Sequence, residues 1–172
     1  GNILEHGADH AHQVTLEFPI IDNDELAKIG HLRQADGAPA THTLSGLYPV
    51  NKGAEGLSER LEALSIEAEE AVDDGVQFLI LSDRNSNQEK APIPSLLLVS
   101  AIHHHLIRAH KRMRVGIVVE AGDVREVHHA ATLIGFGASA INPYLALETV
   151  RHLVNRGDVK VDADKACANF LK

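Results

Sequence analysis

Asp83, Arg84, Glu120 and Asn142 each stand at the end of a short apolar run. That is where a parallel α/β architecture exposes its working surface. An arginine with two carboxylates can clamp a small polar ligand. The same residues also admit a purely structural reading, in which Asp83 and Arg84 pair with each other or with Glu120, while Asn142 caps the helix that follows it. No nucleophile or metal motif stands beside them, so the structural reading is adopted.

The chain carries 12 histidines, which invites a metal or proton-transfer interpretation. Spacing argues against it. His103, His104 and His105 are consecutive in a predicted helix and project about 100° apart, so they cannot share one ion. His104 is expected to face outward, with His103 and His105 flanking the buried stripe. His6 and His10 have ligand spacing, but no third ligand accompanies them. His128 falls on the predicted stripe of Val124, Val127 and Ala131, next to His129. Hydrogen-bonded structural histidines are the simpler account. The single Cys167 has no histidine partner at a recognisable spacing, so no nucleophile is assigned. The run Gly135-Phe-Gly-Ala-Ser139 resembles half of a phosphate loop, but it follows a helix and precedes a strand, where it serves tight turning.

The elements that must position these groups follow from periodicity. Residues 1–40 read as an irregular N-terminal segment packed on the domain: an extended run at 14–21, a short helix at 22–30 and a linker at 33–40. Residues 41–172 read as an α/β unit. Strands are expected at 41–50, 76–81, 115–119 and 138–141. Between Ala54 and Asp74 lie eight acids and one base, which carry seven of the eight net negative charges. Leu57, Leu61, Leu64, Ala68 and Ala71 fall on one face of this segment. It should therefore be a helix whose acids coat the solvated side, ended by Gly75 in the left-handed conformation. A polar loop at 82–94 leads to a helix opened by Pro94 and reaching about Arg112. Asp123 and Glu126 form a capping box for the next helix. Asn142-Pro143 starts another that ends near Gly157, and a last one runs from Asp162. The βα repeats predict a mostly parallel sheet, partial-barrel-like or open.

With 172 residues, 44% apolar and 23% charged, and a mean hydropathy of −0.09, the chain has the balance of one globular domain. Its net charge of −8 opposes nucleic-acid binding. Aromatics at 3%, with no Trp, supply no stacking platform. No apolar run approaches a membrane span and the N-terminus lacks a signal-peptide pattern, so a cytoplasmic location without membrane contact is expected. One cysteine provides neither a disulfide nor a Cys-rich metal site.

Local sequence carries the reading further. Leu79-Ile-Leu-Ser-Asp-Arg84, Ala91-Pro-Ile-Pro-Ser-Leu-Leu97 and Ile102-His-His-His-Leu-Ile107 resemble the central domain of the large subunit of glutamate synthase. So do Val118-Val-Glu-Ala-Gly-Asp-Val-Arg-Glu-Val-His-His129 and Leu133-Ile-Gly-Phe-Gly-Ala-Ser-Ala-Ile-Asn-Pro-Tyr-Leu-Ala146. The likeness is collinear over residues 76–150, and the flanks (1–4, 10–12, 18–21 and the Tyr48-Pro-Val end) fit more loosely. Departures are Asn85-Ser-Asn87 where Gly tends to follow, Phe136 for Tyr, and Ala130 for an aromatic, marks of a divergent member.

The resemblance implies a linking domain without a catalytic, cofactor-binding or metal-binding residue of its own. It points to Asp83, Arg84, Glu120, Arg125, His128, Asn142 and Tyr144 as interdomain or structural candidates. It further implies a parent enzyme making glutamate from glutamine and 2-oxoglutarate, with an amidotransferase domain and an FMN domain bearing an iron–sulfur cluster on the same polypeptide. Electrons would come from a small NADPH-oxidising subunit or from ferredoxin. On this reading the chain is an excised piece, and edges normally covered by missing segments should make it self-associate. The alternative is a free-standing α/β protein that binds a small ligand or a metal.

Overall fold

The computed structural model describes residues 14–172. The pair His6 and His10 lies outside them.

Two apolar runs, β3 (Phe78–Ser82) and β5 (Gly116–Glu120), form the middle of the sheet and are buried on both faces. β1 (Thr41–Ser45) and β6 (Ala140–Asn142) flank them in the order β1-β3-β5-β6, all parallel. Parallel neighbours require crossovers. These are α2 (Gly53–Asp73), α3 (Ser95–Arg108) and α4 (Val127–Gly135), which are followed after β6 by α5 (Tyr144–Asn155) and α6 (Ala163–Leu171). The sheet is open, as the βα rhythm allows. Alternation along the strands sends Leu79, Leu81, Ile117, Val119 and Ile141 to one face, where Leu64, Ala68, Leu98, Ile102 and Leu133 of α2–α4 cover them. Ile80, Val118 and Ala140 point the other way, onto α1 (Asn23–Gly30) and Ile21. A parallel bridge between Ile20 and Ile141 extends pairing beyond β6.

α1 opens on a capping box: Asp22 Oδ1 accepts from Glu25 N, and Glu25 Oε2 from Asp22 N. α2 is the acidic helix, and Gly75 follows it with φ +89°.

The structure departs from the sequence reading in four places. The strand at 41–50 breaks at Gly46, whose N–H donates to the Ser82 carbonyl at 2.8 Å. A Cβ there would lie 2.6 Å from Leu98 Cδ2 and 3.3 Å from the Ser82 carbonyl oxygen, so any other residue would have to displace the Leu98 side chain. Past the break, β2 (Leu47–Pro49) pairs antiparallel with β4 (Lys90–Pro92) inside the loop expected to be irregular. Second, the acids of α2 do lie on its solvated side, but part of that face is taken up by ion pairs that periodicity does not show. Glu69 and Asp73 bind Lys111, with His105 also on Glu69 and Arg114 on Asp73. Third, the Asp123–Glu126 box does not form. Asp123 Oδ2 and Oδ1 instead accept from Ser95 N and Oγ at 3.0 and 2.7 Å, closing the start of α3. Glu126 precedes α4 without a side-chain cap bond. Fourth, α4 presents Ala130 and Leu133 to the core, which leaves Val127 at 85% exposure and turns His128 out to solvent.

Candidate functional site: a closed polar cluster at the strand ends

The strand register places Ser82 beside Glu120 and Glu120 beside Asn142. All three are two residues beyond the apolar row Ile80, Val118, Ala140, so they form a polar row on the same face at the carboxyl edge of the sheet. Asp83 and Arg84 follow β3, and Tyr144 opens α5.

Within this cluster Arg84 is the hub. Its Nε donates to Glu120 Oε1, its second nitrogen donates to Glu148 Oε1 at 3.0 Å, and its guanidinium lies 4.0 Å from the centroid of the Tyr144 ring. Burial works against its charge, but the bonds to Glu120 and Glu148 outweigh that and hold its pKa above the usual value. Glu120 also accepts from Ser82 Oγ at 2.5 Å. Asp83 does not pair with Arg84. It is buried, and both its oxygens accept from Gly122 N, at 3.0 and 2.8 Å. Burial pushes its carboxyl up, against the Gly122 N–H and the neighbouring Tyr144 hydroxyl, which favour the charged form. Burial, with Asp83 beside it, pushes the Tyr144 hydroxyl up in turn, so it remains a donor at neutral pH.

Asn142 stands in the polar row without capping α5. It is fully buried at the end of β6, and its Nδ2 donates to the Ile21 carbonyl and to Asn23 Oδ1, both at 3.0 Å. That side chain ties the N-terminal segment to the sheet. The structure thus brings Asp83, Arg84, Glu120 and Tyr144 together and places Asn142 at their edge. Arg125 and His128 lie apart from them: Arg125 N donates to His129 Nδ1 at 3.2 Å, and the His128 carbonyl accepts from Thr132 Oγ1. Sequence reasoning missed two members. Glu148 could have been found four residues after Tyr144 on one helix face, and Gly122 as the first glycine after β5.

Two of the three histidines of α3 have polar partners. His105 Nε2 is 2.7 Å from Glu69 Oε2. His103 Nδ1 accepts from Arg112 Nε at 2.9 Å, and Arg112 also donates to the carbonyls of Val115 and Gly137 at 2.7 and 2.6 Å. One arginine thereby ties α3 to the segments entering β5 and β6. Burial and the adjacent guanidinium push His103 down. Gly137, at φ +107°, lets the turn into β6 pass against the imidazole.

Chemically, the cluster pairs its charges internally, while the buried Oδ1 of Asn142 at its edge has no hydrogen-bond partner. Each ionised side chain in it has a counter-charge or a donor within the cluster. Nor do the donor sets suit a flavin phosphate or an iron–sulfur cluster. Carboxylates of Asp123 and Glu126 stand at the starts of α3 and α4, where they would repel a phosphate. The lone Cys167 is buried, with its thiol 3.7 Å from the Leu147 carbonyl. Among the described residues, no three His, Cys, Asp or Glu are placed to hold a metal, and no helix is long and apolar enough to cross a membrane.

Comparison with known proteins matches this sequence to a family. The family model described as the glutamate synthase central domain covers residues 1–172. The large chain of the NADPH glutamate synthase of Bacillus subtilis is 36% identical over 172 residues, covering 100% of this chain and 11% of that one. The ferredoxin-dependent chloroplastic glutamate synthase of Spinacia oleracea is 40% identical over 185 residues, again covering 100% and 11%. The NADH glutamate synthase of Schizosaccharomyces pombe is 33% identical over 172 residues, covering 99% and 8%. The chain therefore spans about a tenth of the length of the relatives it matches. It belongs to the glutamate synthase central domain family.

Proposed function

We propose that the chain acts as a non-catalytic linking domain within a glutamate synthase, the enzyme that makes glutamate from glutamine and 2-oxoglutarate. Release of ammonia from glutamine and reduction of the 2-oxoglutarate imine belong on this reading to amidotransferase and FMN domains of the same polypeptide. FMN and an iron–sulfur cluster reside there, and electrons reach them from a small NADPH-oxidising subunit or from ferredoxin. The observation that carries the reading is the strand-end cluster. The face on which α/β proteins bind ligands is here closed by Arg84, Glu120, Glu148 and the Asp83–Gly122 bonds, so its work is to hold loops in place.

Those loops lead to α4 and α5, so loosening the hub should disturb what the domain touches before it disturbs any chemistry. In the intact enzyme, Arg84→Ala is expected to leave glutamine hydrolysis and ammonia-dependent synthesis near wild type. Glutamine-dependent glutamate formation should fall. The measurement is the ratio of glutamine hydrolysed to glutamate made from 2-oxoglutarate. Loss of ammonia-dependent synthesis alone would place Arg84 in a catalytic site and sink the linking role. The isolated chain, with its partner faces bare, is expected to self-associate with rising concentration, as light scattering would record.

A further inference from the structure

An open apolar groove of about 450 Å3 runs between α4, the segment Phe18–Ile20 and the end of α6. Its walls include Ile20, Val127, Ala131, Ile134 and Phe170, with Arg125 on the rim. Phe18, Val127, Ile134 and Phe170 are 50%, 85%, 41% and 40% exposed. Such a cluster of exposed large side chains on one concave surface marks a binding face.

We propose that this groove seats an apolar segment from an adjoining domain of the same large chain. The proposal rests on the linking role argued above and names the surface that performs it. Three observations select this occupant. The 14 residues lining the groove fall short of the roughly 20–30 a side that a stable interface between free proteins uses. A covalently attached partner needs far less, because its effective concentration is on the order of millimolar. Relatives place this chain within polypeptides of which it is only 8–11%, so most of the large chain is available to supply the segment. Only Arg125, Glu126 and Lys172 among the lining residues are charged, so the groove suits an apolar segment and not a charged ligand.

The groove is also wired to the strand-end cluster. Its Pro143 sits between Asn142 and Tyr144, and Val124 and Arg125 belong to the loop that Asp83 anchors through Gly122. A segment seated there would feel any displacement of the Arg84 hub.

The test places a photo-crosslinking amino acid at Val127 of the full-length large chain, with Ala131 as a second position. Met113, 82% exposed at the far end of the sheet, is the control. Illumination of the holoenzyme should give an intrachain cross-link from 127 or 131 to a residue outside this 172-residue segment, at unchanged subunit mass, and none from 113. A cross-link that doubles the subunit mass would assign the groove to a second copy. One confined to residues 1–13 would assign it to the chain's own start, and the absence of any would leave it without an occupant. Each of these overturns the proposal. The glutamine-to-glutamate ratio of Arg84→Ala is measured separately, so the groove can fail while the linking role stands, and the reverse.

Discussion

Arg84 neutralises two carboxylates at once, and one of them, Glu120, has a side chain only 12% exposed. Removing the guanidinium leaves Glu120 with the Ser82 hydroxyl alone and uncovers the Tyr144 ring. A partly buried charge without its counter-ion costs about 1–3 kcal/mol, the lower end applying because Arg84 is itself a third exposed. Arg84→Ala is therefore expected to lower the unfolding free energy read from a urea titration by that amount. Adding Glu120→Gln should recover part of the loss, because the stranded charge goes with it; an additive double variant would show that the two do not act as a pair. The location of this cluster was legible in the sequence, since strand ends follow from the βα order. Its pairing was not. Whether Asp83 or Arg84 turns toward Glu120 depends on where β3 stops and how the chain leaves it, and the neighbour in sequence proved not to be the neighbour in space.

Helix ends show the same limit at the next scale. Asp22 and Glu25 are three residues apart and cap each other, so that start could be read directly. Asp123 and Glu126 have the same spacing, yet Asp123 serves Ser95, 28 residues away. Asp123→Ala should accordingly cost about 1 kcal/mol through α3, with loss of amide-exchange protection at the start of α3 and not of α4. The break at Gly46 was equally out of reach, because only the tertiary approach of Leu98 and Ser82 requires it. Gly137 sits where α3, α4 and β6 meet. At φ +107° with a would-be Cβ 2.1 Å from His103 Nδ1, Gly137→Ala combines backbone strain with a collision and should destabilise by more than about 2 kcal/mol. The same junction gives a pH dependence. His103 must be neutral to accept from Arg112, and its folded pKa is depressed below the ordinary 6.5. Between the two values the unfolded chain binds more protons, so this contribution to stability is whole above 6.5. It drains away as pH falls from there through the folded value. His103→Gln should flatten that part of the stability profile just below pH 6.5; a slope unchanged there would mean that other groups produce it.

At the scale of the whole molecule, the two faces of the sheet are unequally served. α2, α3 and α4 cover one, and a single short helix with its leading segment covers the other. The apolar runs of β3 and β5 announced that both faces must be buried, and residues 1–40 read as packed on the domain with a helix at 22–30, but their pattern did not say which face they would cover. In the structure Ile21, Leu26 and Ile29, at 0%, 8% and 4% exposure, close over Ile80, Val118 and Ala140. Asn142 and the Ile20–Ile141 bridge fasten the segment at the carboxyl edge. Burying three such side chains is worth roughly 5–9 kcal/mol at about 1.5–3 kcal/mol each, which is comparable to the whole stability of a typical domain, about 5–15 kcal/mol. A chain beginning at His31 should therefore retain helical circular dichroism but lose its cooperative urea transition and bind a hydrophobic dye. A cooperative transition within about 1 kcal/mol of the intact chain would show that α1 is an appendage rather than half of the core.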